Sequence, residues 1–183
     1  MKVPFNYLNQ QFSNDSIYIN KWKKLIKSSN FTLGGIVESF EKQFANFVKS
    51  KHCIATNSGT DAITIGLKSL GVKPGDEIIT VCNTFYATVG AIIACGCKPV
   101  FVDCDERYQI NISEIKKVIT KKTKVILPVH WAGASPDMKK IKNLAKKNKI
   151  KILEDACMGI GSKIYLKNPG TFGDIGTMSM HPV

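Results

Sequence analysis

The stretch that decides the fold is residues 74–103, PGDEIITVCNTFYATVGAIIACGCKPVFVD. After a Pro-Gly turn it continues as a β-branched run, a polar turn, a helix-like run and a second apolar run. Its uncharged centre, Ile78 to Cys97, has 20 residues, the length of a membrane-spanning helix. The centre nevertheless contains four polar residues, Thr80, Asn83, Thr84 and Thr88. We therefore predict a buried strand, a turn, a buried helix and a second strand, and no membrane segment.

The same alternation of strand and helix continues on both sides of this stretch. Further strands are predicted at HCIAT (52–56), KVILPV (124–129), IKILED (150–155) and GDIGTMSM (173–180). Further helices are predicted at 36–48, after the NSGT turn, at 113–120 and at 135–149. Gly71 closes the helix that follows NSGT. Ser113 and Ser135 are the predicted N-caps of the last two helices, and Pro136 takes the first helical position after Ser135. The strands are continuously apolar, so both sheet faces are covered. This indicates a three-layer α/β fold with a mainly parallel sheet.

Composition narrows the function classes. The chain has 183 residues and a formal net charge of +12, but 25 of its 26 basic residues are Lys and its one Arg is Arg107. Proteins that recognise nucleic-acid bases and phosphates rely on Arg. The basic charge is therefore interpreted as a Lys-rich solvated surface rather than as a nucleic-acid-binding site. The six cysteines form no CxxC pair, which is typical of buried thiols in a reducing compartment and indicates no metal site. The first residues contain no apolar signal core, so a cytoplasmic location is predicted.

Ligands of parallel sheets bind at the carboxyl ends of the strands, so the residues that follow each strand are the candidate site. Asn57 to Thr60 follow the first predicted strand and begin a helix. Free N–H groups at such a turn hold a phosphate, although an ordinary helix cap explains the turn equally well. Phe85 and Tyr86 follow the next strand, where they either stack on a planar ring or belong to the core.

Two further strand ends carry polar groups. Glu154 and Asp155 end a strand and point to opposite sides of it. A buried carboxylate there needs a cationic partner, such as a protonated pyridine nitrogen, whereas a helix cap or a surface pair needs none. Ser179 and His181 end the last strand, where Ser179 could contact a phosphate and His181 is either a base or a structural residue.

Taken in order along the chain, these features resemble the front half of a sugar aminotransferase of the DegT/DnrJ/EryC1/StrS family. The matching stretches begin at about residue 31 and continue to the last residue: FTLGGIVESFEKQFANFV, NSGTDAITIGLKSLGVKPGDEIITV, NTFYATVGAIIACGCKPVFVD, TKVILPVHWAGASPDM, ILEDACMGIGS and GTFGDIGTMSMHPV. The resemblance implies the large domain of a fold-type-I enzyme dependent on pyridoxal 5'-phosphate (PLP). Residues 1–30 would form an N-terminal segment and residues 31–183 part of that large domain, with the remainder and a small C-terminal domain absent.

The resemblance also implies a role for each matching residue. Gly59, Thr60 and the backbone of Asp61 would hold the cofactor phosphate, with Ser179 as a further contact. Phe85 would stack on the pyridine ring, and Asp155 would pair with the ring nitrogen.

Two positions bear on whether the chain can catalyse the reaction. Met158 stands where many relatives have a Gln or His, and its thioether cannot donate a hydrogen bond to the ring's 3-hydroxyl. The family pattern SxHxxK begins at Ser179 and His181 and places the Schiff-base lysine directly after Val183. No catalytic residue is therefore expected within the chain itself, and the chain alone is not expected to transaminate.

The function implied for the full-length protein is transamination of a nucleotide-diphosphate keto sugar, with glutamate as the amino donor. The product would be an amino sugar for a surface polysaccharide such as lipopolysaccharide, made by a cytoplasmic homodimer, with no nucleic-acid or membrane partner. Two alternatives remain: a PLP-dependent sugar dehydratase with His in place of the lysine, and a non-catalytic remnant or partner subunit. The presence of Asp155 and of the phosphate turn argues against the second. We also expect the 183-residue chain to expose apolar surface.

Overall fold

A computed structural model describes residues 7–181, in which helices and strands alternate. The strands are β1 Glu77–Val81, β2 Lys98–Val102, β3 Thr123–Ile126, β4 Lys151–Asp155 and β5 Ile175–Thr177. The helices are α1 Leu8–Gln11, α2 Ser16–Ser28, α3 Gly35–Val48, α4 Gly59–Ser69, α5 Tyr86–Ala94, α6 Ile112–Val118 and α7 Met138–Asn148, with a short 3₁₀ turn at Trp131–Gly133. Pro182 and Val183, beside which the lysine is expected, lie outside the described residues.

The five strands form one parallel sheet in the order β2-β1-β3-β4-β5. The residues of β1, β3 and β4 are mostly buried, as continuous apolar runs predict, whereas β2 and β5 have one buried residue each. The predicted α/β class with a mainly parallel sheet is therefore confirmed, and residues 74–103 form the β1–α5–β2 unit. None of the helices within residues 7–181 is long and apolar enough to cross a membrane.

Four of the helices form two packed pairs. Helices α4 and α5 pack against each other, and α4 also contacts β4 and β5. Helices α6 and α7 form the second pair, with α6 against β2 and α7 against β4. Gly66 lets α4 lie close to the sheet, because a Cβ at this position would be 2.7 Å from Leu153 Cδ1.

Residues 52–56 do not form the predicted strand. No strand within residues 7–181 pairs with this segment, and Ile54 is 80% exposed. The Ala55 N–H donates to Glu41 Oε1 at 2.7 Å instead of to a neighbouring strand. An apolar run becomes a strand only where a sheet edge can accept its backbone hydrogen bonds.

Two predicted N-caps are wrong. Asn111 caps α6 by accepting from the Ser113 N–H at 3.0 Å, and Asp137 caps α7 by accepting from the Lys140 N–H at 3.1 Å. Pro136 therefore precedes α7. The Ser135 hydroxyl lies 2.7 Å from His130 Nδ1 and is engaged there rather than at the helix.

Candidate functional site

The candidate site lies at the carboxyl edge of the sheet, where β4 and β5 end beside the start of α4. Asp155 is the last residue of β4, Ser179 follows β5, and Gly59 is the first residue of α4. A parallel sheet brings all of its strand ends to one edge, so residues far apart in sequence meet there.

The start of α4 presents free donors. Ser58 Oγ caps the helix by accepting from the Asp61 N–H at 3.1 Å. The N–H groups of Gly59 and Thr60 have no acceptor within residues 7–181. These two groups and the helix dipole favour an anion such as a phosphate.

Gly59 brings this helix start against Ser179. A Cβ at Gly59 would lie 3.1 Å from Ser179 Cβ, 3.4 Å from Ser179 Oγ and 3.3 Å from Cys157 Sγ. A larger residue would therefore push the helix away from the two side chains. The serine hydroxyl, which accepts from the His181 N–H at 3.1 Å, stays free to donate its own proton.

Asp155 is a buried carboxylate held only by neutral donors. Its side chain accepts from Thr88 Oγ1 at 2.7 Å and from the Cys157 N–H at 3.2 Å, and the residue is 5% exposed. Within the described part of the chain no Lys, Arg or His forms an ion pair with it. A buried negative charge without a cation suits a cationic ligand.

Cys157 is a neutral thiol beside this carboxylate. Burial is the main reason that the pKa of the Cys157 thiol is raised, and the nearby charge of Asp155 raises it further. A thiol whose pKa is raised stays protonated, so Cys157 is a neutral neighbour of the carboxylate rather than a nucleophile.

Glu154 points to the other side of β4, as the strand period predicts. It is fully buried and accepts from His130 Nε2 at 2.9 Å and from the backbone N–H groups of Phe172 and Gly173 at 2.7 and 2.6 Å. Neither acid is a surface pair or a helix cap. Glu154 has its partners inside the protein, whereas Asp155 has no cationic partner in the described residues.

The remaining predicted residues lie at the same edge but are open to solvent. Phe85 precedes α5 and is 62% exposed, with its ring centroid 4.3 Å from that of Tyr86. Met158 lies in the turn after β4 and is 43% exposed. The prediction that Phe85 or Tyr86 is a core residue is therefore wrong, and an exposed Phe85 ring is free to cover a planar ligand.

Sequence reasoning missed Thr84, Thr88, Cys157 and His130 as parts of this site. Thr84 Oγ1 and Thr88 Oγ1 lie 2.7 Å apart, and Thr88 leads on to Asp155. The available signal was the presence of two threonines in an otherwise apolar stretch, because Thr84 lies before α5 and helical spacing does not apply to it. Nothing local in the sequence indicates their acidic partner.

These residues fit a phosphorylated pyridine cofactor. The unpaired N–H groups and the close approach of Gly59 to Ser179 match a phosphate, and the cation-free Asp155 matches a protonated ring nitrogen. Within residues 7–181 no group of three His, Cys, Asp or Glu side chains is arranged to hold a metal ion. A cleft of about 610 Å³ that Arg107, Ser135 and Tyr165 help to line contains none of the predicted site residues.

Comparison with known proteins agrees with this geometry. The pattern of the DegT/DnrJ/EryC1/StrS aminotransferase family matches residues 13–183. A 3-oxo-glucose-6-phosphate:glutamate aminotransferase of Bacillus subtilis is 41% identical over 99% of this chain and 41% of its own length. A UDP-N-acetyl-3-dehydro-alpha-D-glucosamine 3-aminotransferase of Acidithiobacillus ferrooxidans is 39% identical over 87% of this chain and 43% of its own length. The chain thus spans well under half of each of these relatives.

Solved structures show the same similarity. The NtdA protein of Bacillus subtilis, solved with bound cofactor PMP, superposes with a TM-score of 0.91 at 40% identity, over 99% of this chain and 41% of that one. A GDP-4-keto-6-deoxymannose-3-dehydratase superposes with a TM-score of 0.80 at 31% identity, over 85% of this chain and 42% of that one.

Proposed function

The chain belongs to the DegT/DnrJ/EryC1/StrS aminotransferase family, and from this membership we propose that the whole protein is a PLP-dependent aminotransferase acting on a nucleotide-linked keto sugar. The observation that carries the proposal is Asp155, a buried carboxylate with hydroxyl and N–H donors but no cation among the described residues. Relatives named as aminotransferases of UDP-linked and dTDP-linked sugars support the substrate class.

Each residue of the site has a proposed task toward the cofactor. The Gly59 and Thr60 N–H groups and the Ser179 hydroxyl bind the phosphate. The Asp61 N–H, to which the resemblance gives the same task, is already engaged with Ser58 Oγ at 3.1 Å. Asp155 would accept a hydrogen bond from the protonated ring nitrogen, and Phe85 would cover one face of the ring. Met158 packs beside it without donating a hydrogen bond. When bound, PLP supplies an electron sink for the substrate's bond changes.

The proton transfers need a lysine that we propose lies directly after Val183, where the pattern begun by Ser179 and His181 continues. The coding sequence after the Val183 codon tests this. A lysine codon in an open frame supports the aminotransferase. A stop codon would contradict catalysis by this gene product while leaving the fold unaffected.

The substrate and setting are also proposals. Glutamate is the proposed amino donor, supported by the name of the Bacillus subtilis aminotransferase. That relative is named for a sugar phosphate, which makes a hexose phosphate the second substrate class to assay. We further propose a cytoplasmic homodimer that makes an amino sugar for a surface polysaccharide.

The test is a glutamate-dependent amination assay on the purified full-length protein. With PLP, glutamate and a panel of nucleotide-linked keto sugars and keto-hexose phosphates, we expect an amino sugar by mass spectrometry. Asp155→Asn should lower kcat/KM by at least about a hundredfold, because it removes a charge that stabilises the cationic ring. Glu114→Gln, a change in an exposed ion pair with Lys117, is the control and should leave kcat/KM unchanged. Equal activity of both variants would contradict the role of Asp155.

A dehydratase is the second candidate, supported by the similarity to the GDP-4-keto-6-deoxymannose-3-dehydratase. A histidine codon after Val183, together with loss of a sugar hydroxyl and no net amination, would favour it over the aminotransferase.

A further inference from the structure

Asp155 is tied to a helix that follows a different strand. Thr88 lies in α5, which follows β1, and is fully buried. Its Oγ1 donates to Asp155 Oδ2 at 2.7 Å across 67 positions of sequence. The bond joins the β1–α5 unit to the end of β4, so the packing of α5 sets the orientation of this carboxylate.

The hydroxyl protons in this contact have only one possible direction. A carboxylate accepts hydrogen bonds and does not donate them, so Thr88 gives its single O–H proton to Asp155. The contact of 2.7 Å between Thr84 Oγ1 and Thr88 Oγ1 must therefore be a donation from Thr84 to Thr88. The result is a directed chain from Thr84 through Thr88 to Asp155.

Neutral donors orient a carboxylate without cancelling its charge. A lysine or arginine beside Asp155 would neutralise it and compete with a cationic ring, and the chain has 26 such residues to draw on. The described residues place the Thr88 hydroxyl and the Cys157 backbone N–H on the carboxylate instead, with the Thr84 hydroxyl behind Thr88. Hydrogen bonds to a charged acceptor are also the stronger ones, so the carboxylate is held firmly.

We infer that Thr88, with Thr84 behind it, is a positioning residue that holds the Asp155 carboxylate in place for the cofactor's ring nitrogen. This inference rests on the proposed PLP-dependent function. It assigns a task to the NTFYAT turn beyond presenting Phe85: the same turn fixes the acid that the ring meets.

The experiment measures PLP affinity of the full-length apoprotein by absorbance titration, with the pH dependence of the bound cofactor's spectrum as a second readout. Thr88→Val keeps the shape of the side chain and removes the hydroxyl. We expect it to raise the Kd for PLP by about tenfold, the effect of one hydrogen bond to a charged group, and to shift the spectral pH profile. Thr88→Ser restores the hydroxyl and should stay within about threefold of wild type. Thr84→Val should raise the Kd by a smaller factor.

Thr80→Val is the matched control. Thr80 is as fully buried as Thr88, and its Oγ1 donates to the Leu127 carbonyl at 2.8 Å, away from Asp155. This variant should lose a similar amount of thermal stability with no change in Kd or spectrum. A Thr88→Val Kd within twofold of wild type, or Thr88→Ser behaving like Thr88→Val, would overturn the inference.

The remaining outcomes are also decisive. If Thr88→Val does not fold, the half-buried Thr84 is tested instead. An unchanged Kd for PLP in Thr84→Val then overturns the inference. Failure of the wild-type protein to bind PLP would overturn the proposed function itself. If the wild-type protein binds PLP and the threonine variants bind it with the same Kd, only the positioning role of the threonines is overturned.

Discussion

Glu154 supports the site from the face of β4 opposite Asp155. Its Oε1 accepts from the Phe172 and Gly173 N–H groups, and its Oε2 from the Gly170 N–H at 3.0 Å and from His130 Nε2. Four donors satisfy the carboxylate, so its burial is compensated. These bonds attach the segment before β5, and therefore the approach to Ser179, to the strand that bears Asp155.

Replacing this acid with its amide should destabilise the protein. Glu154→Gln swaps one acceptor oxygen for an NH₂ group that faces N–H donors, and it removes the carboxylate that lies 2.9 Å from His130 Nε2. We expect the free energy of unfolding to fall by about 3 kcal/mol, because buried N–H donors lose their acceptor. Urea denaturation of this variant and of Glu114→Gln provides the measurement, and the exposed control should lose under about 1 kcal/mol. Equal losses would contradict the assigned role.

The sequence could predict that Glu154 and Asp155 point to opposite faces of β4, but it could not predict their partners. Successive strand residues point to opposite faces, so Glu154 and Asp155 had to separate. Thr88, however, is 67 positions from Asp155, and His130 is 24 positions from Glu154. Such pairs depend on how helices and loops lie on the sheet, which no local pattern encodes.

At the scale of elements, helix α4 depends on one glycine to lie close to β4 and β5. A Cβ at Gly66 would come 2.7 Å from Leu153 Cδ1 and 3.4 Å from Ile175 Cγ2, and Leu153 is fully buried. The side chain of Leu153 therefore has no free space into which to move. The position of α4 matters for function because its first residue, Gly59, meets Ser179.

Two helical glycines should respond to alanine in opposite directions. Gly66→Ala should reduce the free energy of unfolding by about 1–3 kcal/mol through overpacking. Gly90→Ala, inside α5 with nothing within 4 Å of the added methyl, should increase it by about 0.5–1 kcal/mol, because alanine is the better helix former. Thermal denaturation of both variants tests this. Stabilisation by Gly66→Ala would mean that α4 can move outward without cost.

Helices and strands could be predicted where their own hydrophobic pattern determines the structure. They were harder to predict where the structure depends on a neighbouring element. The β1–α5–β2 unit follows from its apolar runs and turns. Residues 52–56 carry the same apolar signal, but within residues 7–181 they have no strand to pair with and Ile54 is exposed. Asn111 and Asp137 cap α6 and α7 in place of the nearby serines, and because Asn, Asp and Ser are about equally good N-caps, the sequence alone could not rank them.

For the whole molecule, the expectation of exposed apolar surface points to helix α2. Ile19, Trp22 and Ile26 recur at spacings of three and four, so they lie on one face, and α2 has no buried residue. Trp22 alone is 58% exposed. A face of this kind in water favours association, since apolar surface is removed from solvent when molecules meet.

The 183-residue chain should therefore bind a hydrophobic dye and associate as its concentration rises. The double variant Trp22→Gln with Ile26→Gln should lower both dye fluorescence and scattering mass, with little change in thermal midpoint because neither side chain contributes to the core. Lys23→Gln, an exposed change in the same helix, is the control and should alter neither. Monomeric scattering at all concentrations without dye binding would contradict an unpaired apolar face. If the double variant still associates, the apolar contact surface lies elsewhere. The exposed Phe31 and Leu33 are then the next side chains to replace.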